Sequence, residues 1–90
     1  MRILLLEDDR QLAKGLLQSL AMQSYAVDHF ESVKEGVNAI AHEHYDLVIL
    51  DLGLADGSGL DFLRVFRQEQ TQPVIILTAR DTIEDKIITG

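Results

Sequence analysis

Carboxylates follow two apolar runs of this chain, at the points where the runs stop. Glu7 and Asp8 come directly after the apolar residues 3–6. Asp51 comes directly after the apolar residues 47–50. One acid at the end of a strand is an ordinary turn residue, because Asp can bond its own backbone there. Acids at two strand ends favour a functional site.

The mutual repulsion of such acids indicates which chemistry they could support. Carboxylates within a few ångströms of one another take up a proton or are screened by a cation. Oxygen ligands with no His or Cys beside them suit Mg²⁺, which leaves coordination positions open for phosphate oxygens. A carboxylate beside Mg²⁺ can attack phosphorus and form an acyl phosphate. The candidate nucleophile is Asp51.

The elements that must position these acids alternate between apolar runs and helical patterns. This alternation predicts βαβ units and hence an α/β fold with a parallel sheet. The run 47–50 is apolar on both faces, which predicts a central strand. Strands are predicted at 3–6, 25–30, 47–50 and 74–77. Helical apolar stripes are predicted at Leu12, Ala13, Leu16, Leu17, Leu20 and Ala21; at Val33, Val37, Ile40 and Ala41; and at Phe62, Val65 and Phe66.

Local signals predict where the helices begin. Ser32 and Glu35 form a capping-box pattern at the start of the second helix. Ser58 gives a similar signal at the start of the third helix. A last helix is predicted to begin at Asp81, with an apolar face made of Ile83, Ile87 and Ile88.

The C-terminal ends of parallel strands lie along one edge of a sheet, and ligands bind there where the strand order reverses. We therefore expect Glu7, Asp8 and Asp51 to converge. Thr78, at the end of the predicted fourth strand, should join them. Its hydroxyl could donate a hydrogen bond to a transferred phosphoryl group or could simply cap a helix. At Gly53 a main-chain carbonyl could approach the metal.

The composition limits the chain to one small domain. Its 90 residues are 47% hydrophobic and 26% charged, which allows one core and leaves no room for a second domain. There is no cysteine, and the formal net charge is −7. This charge disfavours direct contact with nucleic acid or with anionic membranes. The apolar runs are far shorter than the roughly 20 residues of a membrane span, so a cytoplasmic location is expected.

Three stretches carry a resemblance to a known family: RILLLEDD, YDLVILDLGLADGSGLDFL and PVIILTARD. In this order and spacing, the chain resembles the receiver domain of bacterial two-component response regulators, and is most similar to the OmpR/PhoB type. The resemblance runs through residues 1–90. It implies a flavodoxin-like (CheY-like) three-layer sandwich with a parallel sheet, here missing its last strand and helix.

The resemblance also implies roles for the acids. It makes Asp51 the phosphoacceptor. It implies that Mg²⁺ is bound by Asp8, Asp51 and the main-chain carbonyl of Gly53. Glu7 would act on the metal through water, and Asp9 matches a variable position without a metal role.

Further roles are implied for the residues around the phosphoryl group. The Thr78 hydroxyl would follow that group when the domain switches, and Ala79 would leave space beside it. Ala55 stands where the family usually has Pro, which should loosen the loop after Asp51. Gly57 and Gly59 are interpreted as turn residues of the same loop.

Partners also follow from the resemblance. A sensor histidine kinase would phosphorylate the domain, and activation would promote a homodimer. DNA would be bound by a winged-helix domain absent from this chain and not by the receiver itself. The chain ends at Gly90, before the family's last strand and helix, which would leave strand 74–77 as an apolar edge. Self-association or exchange of elements is expected to follow.

The alternatives to a phosphoacceptor are an interaction module and a phosphatase. A truncated receiver could act only as a self-associating or domain-exchanged interaction module, and the residues leave this open. A Mg²⁺-dependent phosphatase of the haloacid dehalogenase type would need a second acid where Gly53 stands, so we expect a signalling domain and not an enzyme. His42 and His44 are interpreted as part of a solvated loop, and His29 as a half-exposed structural residue.

Overall fold

The computed structural model describes residues 1–54 and 56–77, which form a parallel sheet with helices on both faces. Thr78, Ala79, Ala55 and the helix predicted from Asp81 lie outside the described residues. No helix within the described ranges is long and apolar enough to cross a membrane. The elements are β1 (Arg2–Leu6), α1 (Arg10–Met22), β2 (Ala26–Phe30), α2 (Val33–His42), β3 (Leu47–Asp51), β4 (Gly53–Leu54), β5 (Gly57–Ser58), α3 (Gly59–Glu69) and β6 (Val74–Leu77).

The four strands of the main sheet are parallel and lie in the order β2-β1-β3-β6, so β3 is central as predicted. β4 and β5 form a separate antiparallel hairpin. From β1 the chain runs to β2 on one side and then crosses to β3 on the other, so the strand order reverses between β1 and β3. Leu6 pairs with Leu50, which brings the residues after β1 beside the end of β3. Sheets of this kind bind ligands at such a reversal.

Alternate residues of the central strands face opposite helical layers, because successive side chains of a strand point to opposite faces. On one face, Ile3, Leu5 and Ile49 pack with Ala13 of α1. The other face packs with α2 and α3, and its most deeply buried members are Leu4, Leu6, Val48, Leu50, Phe62 and Phe66. This arrangement is the three-layer α/β sandwich expected from the sequence.

Side chains cap all three described helices at their N-termini. Asp9 caps α1, Ser32 caps α2 and Ser58 caps α3, each by accepting hydrogen bonds from amides of the first turn. Ser32 Oγ accepts from the Glu35 amide at 3.1 Å and donates to Glu35 Oε1 at 3.0 Å. The serine half of the predicted capping box is therefore present, whereas the Glu35 carboxylate accepts from the hydroxyl of Ser32 and not from its main-chain amide.

The apolar stripes predicted for α1 and α3 are too wide. Leu12 is 40% exposed and Val65 is 39% exposed. Ala21 is exposed as well. A helix contacts a sheet along a narrow line, so residues at the margins of a stripe remain in solvent.

The stripe predicted for α2 also differs from the buried face. Its buried residues are Gly36 and Ala39, and Ala41 is exposed. A Cβ on Gly36 would contact the side chains of Leu6 and Phe62, so the small residue allows α2 to approach β1 and α3 closely. The larger apolar residues Val33, Val37 and Ile40 pack partly buried beside this contact.

A polar network ties the strands together at the end of the sheet opposite the acids. Arg2 Nη2 lies 2.9 Å from Asp28 Oδ2, and the Tyr45 hydroxyl donates to the same oxygen at 2.7 Å. The bond from Tyr45 and the Arg2 guanidinium lower the pKa of Asp28. Burial, together with the Asp28 carboxylate, raises the pKa of Tyr45 to about 12. The network joins β1, β2 and the residues before β3.

α3 begins with a glycine because main chain passes directly against it. A Cβ on Gly59 would overlap the carbonyl oxygen of Asp51 and would lie 3.0 Å from Leu52 Cα. The Gly59 amide donates to the Leu52 carbonyl at 2.8 Å. Gly59 is therefore required for space. Gly57, with φ of 156°, has the turn geometry predicted for this loop.

Replacing Gly59 tests this close approach. Gly59→Ala should lower the free energy of unfolding by about 1–3 kcal/mol, because main-chain atoms must shift to admit the Cβ. Gly15→Ala is the matched control, since Gly15 lies within α1 and an added Cβ has nothing within 4 Å. The free energy of unfolding of Gly15→Ala should rise by up to about 1 kcal/mol, because alanine has a higher helix propensity than glycine. Urea denaturation followed by circular dichroism measures both, and equal changes in the two variants would contradict the account.

Candidate functional site

Glu7, Asp8 and Asp51 meet at the C-terminal ends of β1 and β3. Each offers a carboxylate oxygen, and these oxygens lie within 4.8 Å of one another. Glu7 is fully buried and Asp51 is 2% exposed, whereas Asp8 is partly exposed. The carboxylates of Glu7 and Asp51 are therefore shielded from solvent, and solvent can approach the cluster beside Asp8.

Two residues of β2 hold the backbone of Glu7. The Glu7 amide donates to the Phe30 carbonyl at 3.1 Å. Nε2 of His29 lies 2.8 Å from the Glu7 carbonyl, and Nε2 must carry the proton because a carbonyl only accepts. His29 is half-buried, as expected from the sequence, and this contact gives it a part in fixing the turn after β1.

The carboxyl group of Glu7 lies in an environment that disfavours its charge. Its Oε1 is buried and has no hydrogen-bond partner among the described residues. Its Oε2 accepts from the Asp9 amide at 3.2 Å. Burial raises the pKa of Glu7 to about 7; the Asp9 amide opposes the shift, while Asp51 and Asp8 add to it. Without a cation, this environment favours the protonated form of Glu7.

The donor set fits a hard divalent cation. All three side chains supply carboxylate oxygens, and within residues 1–54 and 56–77 no His or Cys joins the cluster. A buried oxygen that has no partner in the described part of the chain and lies close to two further carboxylates is a group that a cation would stabilise. The residues present therefore fit Mg²⁺, the ion predicted from the sequence.

The loop after Asp51 returns beside the cluster as the β4–β5 hairpin. Gly53 pairs with Ser58, and Leu54 pairs with Gly57. A Cβ built on Gly53 would lie 4.0 Å from Asp51 Oδ2, so the main chain at Gly53 is next to the carboxylate. A metal role for the Gly53 carbonyl stays a prediction.

Other residues singled out in the sequence have different positions. Asp9 uses its carboxylate to cap α1. His42, interpreted as a loop residue, is the last residue of α2, and its ring contacts the Asn38 carbonyl at 2.8 Å. The His44 ring lies 3.6 Å from Asp46 Oδ1. Thr78 and Ala79, the predicted switch residues, lie outside the described part of the chain.

Sequence reasoning missed Asp56, which lies in the hairpin and binds the start of α2. Its Oδ1 accepts from the Val33 amide at 2.7 Å, and its Oδ2 accepts from the Lys34 amide at 3.1 Å. The residues are more than 20 positions apart in the chain, and the contact leaves no local pattern. The one sequence signal was an acidic residue in a loop, because acidic side chains interact favourably with helix N-termini.

Comparison with known proteins gives one family over nearly the whole chain. The response regulator receiver domain family matches residues 3–89. The chain is 47% identical over 88 residues to the transcriptional regulatory protein BasR of Escherichia coli (strain K12), covering 97% of this chain and 40% of that protein. The same values hold for the transcriptional regulatory protein PmrA of Pectobacterium parmentieri. The chain thus spans about 40% of the length of these curated relatives.

A solved structure gives the same fold. The BeF3-activated N-terminal receiver domain of Klebsiella pneumoniae RstA is similar to this structure with a TM-score of 0.88 at 26% sequence identity. The match covers 99% of this chain and 76% of that chain.

The raised pKa of Glu7 predicts how stability depends on pH without divalent cations. Folded protein binds more protons at Glu7 than unfolded protein between the unfolded pKa of about 4.5 and the folded pKa of about 7. The free energy of unfolding should therefore lose the Glu7 contribution as pH rises through that window. Glu7→Gln has no charge to bury, so its free energy of unfolding should exceed that of the parent by about 1–3 kcal/mol at pH 8.

Urea denaturation in a chelator, from pH 5 to pH 8, measures this difference. Glu69→Gln removes an exposed acid of α3 and should follow the parent within about 0.5 kcal/mol at every pH. A Glu7→Gln variant that also follows the parent would contradict the electrostatic account.

Proposed function

This chain belongs to the response regulator receiver domain family, and we propose that it is the phosphoacceptor module of a two-component transcriptional regulator. In this proposal a sensor histidine kinase transfers a phosphoryl group to Asp51. The observation that carries the proposal is the buried carboxylate of Asp51 beside those of Glu7 and Asp8. Family membership makes the chain a signalling module.

The proposed transfer needs a nucleophile, a leaving group and neutralisation of charge. An Asp51 carboxylate oxygen attacks phosphorus, a P–O bond forms, and the P–N bond to the kinase histidine breaks. The electron pair of the broken bond stays on the imidazole nitrogen. Mg²⁺, when bound, would supply positive charge that balances the charge of the phosphoryl oxygens. The residues proposed to hold Mg²⁺ are Asp8, Asp51, the carbonyl of Gly53 and, through water, Glu7.

Placement at the end of a central strand supports Asp51 as the acceptor over Asp8. Asp51 ends a central strand and is fixed by parallel pairing, whereas Asp8 lies in a turn and is partly exposed. Precise placement of a nucleophile contributes to rate because it removes the cost of orienting it. By family resemblance, the Thr78 hydroxyl is proposed to follow the phosphoryl group and Ala79 to leave space for it.

The wider role of the protein is proposed from its relatives. BasR and PmrA are transcriptional regulatory proteins, and the chain matches about 40% of their length. We propose that the described domain regulates transcription in the cytoplasm through a DNA-binding domain of the full-length protein. Its own charge of −7 argues against direct contact with DNA.

Self-association is a second candidate function, favoured by strand β6. Within the described residues, β6 pairs with β3 on one side and lies at the edge of the sheet. Ile75 is 49% exposed and Ile76 is 43% exposed, and adjacent side chains of a strand point to opposite faces. An edge strand that is apolar on both faces favours pairing with another chain.

Phosphorylation of the 90-residue chain tests the leading proposal. Incubation with acetyl phosphate and Mg²⁺ should add the mass of one phosphoryl group, as measured by intact-mass spectrometry. Asp51→Asn should abolish the adduct because the amide is not a nucleophile. Asp61→Asn, which changes an exposed acid of α3, should retain it. An adduct on Asp51→Asn, or none on the folded parent, would contradict the proposal.

Light scattering tests self-association. The parent should show a mass above that of the monomer, and Ile76→Lys should restore the monomer because a charge on an edge strand opposes pairing. Leu12→Lys changes an equally exposed apolar residue of α1 and should leave the parent's assembly intact. A monomeric parent would exclude this function.

A further inference from the structure

Asp56 joins two segments that are distant in the chain. It lies at the tip of the β4–β5 hairpin, between Leu54 and Gly57. Its carboxylate binds the first two amides of α2, those of Val33 at 2.7 Å and Lys34 at 3.1 Å. The contact connects the loop after the candidate phosphoacceptor to the helix that follows β2.

The contact completes the capping of α2. The first amides of a helix have no partner within the helix. Ser32 Oγ accepts from the Glu35 amide, and the Ser32 carbonyl accepts from the Gly36 amide at 3.1 Å. Asp56 accepts from the two amides that remain, and these bonds lower the pKa of its carboxyl group. Its negative charge also interacts favourably with the positive end of the helix dipole.

The same contact fixes the tip of the hairpin. At the base, the Gly59 amide donates to the Leu52 carbonyl, so the loop is closed beside Asp51. At the tip, Asp56 is held by α2, and α2 is held against β1 through the contact of Gly36 with Leu6. Gly53 lies between the base and the tip. Its position relative to Asp51 is thus supported from both ends of the hairpin.

We propose that Asp56 is a positioning residue for the candidate metal site, holding the Gly53 carbonyl beside Asp51 by anchoring the hairpin to α2. This inference rests on the proposed role of that carbonyl as a metal ligand. Mg²⁺ requires near-ideal octahedral geometry, so a ligand on a loop must be held in place to contribute fully. Loss of the anchor leaves the hairpin fixed at its base and free at its tip.

A different role would be simple capping of α2, and Ser32 offers the matched control. Ser32→Ala removes one capping bond from the same helix terminus and leaves the bonds from Asp56 to α2 in place. Both Asp56→Ala and Ser32→Ala should destabilise α2 to a similar extent. Only Asp56→Ala should loosen the hairpin. Asp56→Asn keeps one acceptor oxygen and should be intermediate.

The experiment combines amide hydrogen exchange with Mg²⁺ titration by NMR on the 90-residue parent and the three variants. In Asp56→Ala, exchange should accelerate at Leu54 and Gly57 as well as in the first turn of α2. Its Mg²⁺ affinity should fall about three- to tenfold, the effect of losing one or two hydrogen bonds that hold a ligand. Ser32→Ala should show faster exchange in α2 alone and a Mg²⁺ affinity within twofold of the parent.

The outcomes separate this inference from the proposed function. Unchanged Mg²⁺ affinity in a folded Asp56→Ala variant, or an equal loss in Ser32→Ala, would overturn the positioning role. A parent that binds Mg²⁺ and forms no phosphoryl adduct would refute the phosphoacceptor function while the comparison of variants still decides the role of Asp56. A parent that fails to bind Mg²⁺ would refute both, and hydrogen exchange would still show whether Asp56 anchors the hairpin.

Discussion

The repulsion among three carboxylates at the reversal of strand order is the constraint on which the rest of the structure depends. Glu7 and Asp51 are buried and Asp8 is beside them, so their charges are poorly screened by water. Burial and, to a smaller extent, the neighbouring carboxylates raise the pKa of Glu7 to about 7, and among the described residues its Oε1 has no hydrogen-bond partner. Apolar burial elsewhere in the fold must offset the electrostatic free energy of keeping these carboxylates together. A bound cation would lower that free energy.

The sheet supplies both the stability and the placement. Residues of β1 and β3 are buried on both faces, and their parallel pairing aligns the ends from which the acids emerge. At the opposite end, Arg2, Asp28 and Tyr45 form a network in which opposite charges attract. The carboxylates thus repel one another at the C-terminal ends of the strands, while attractive contacts among Arg2, Asp28 and Tyr45 stabilise the opposite end. Like charges held together in this way are common at functional sites, where they shift pKa values.

The sequence predicts the placement of the acids because that placement depends on short-range signals and general rules. Apolar runs predict the strands, and parallel strands end at one edge, so Glu7, Asp8 and Asp51 had to meet. Contacts between distant segments were not predictable in this way. The bond from Asp56 to α2 and the close approach of Gly59 to Asp51 depend on how the loop packs. The exposure of Leu12 and Val65 depends on how narrow the contact between helix and sheet is. The roles of Thr78 and Ala79 rest on resemblance alone.

The three carboxylates of Glu7, Asp8 and Asp51 form a candidate cation site. A titration of the ¹⁵N-labelled chain with Mg²⁺, followed by amide chemical shifts, tests it most directly. Binding at this site should give saturable shifts that are largest from Glu7 to Asp9 and from Asp51 to Gly53, with little change at Arg2, Asp28 and Tyr45. Shifts that are uniformly small and do not saturate, or that are largest around His42 to Asp46, would contradict it.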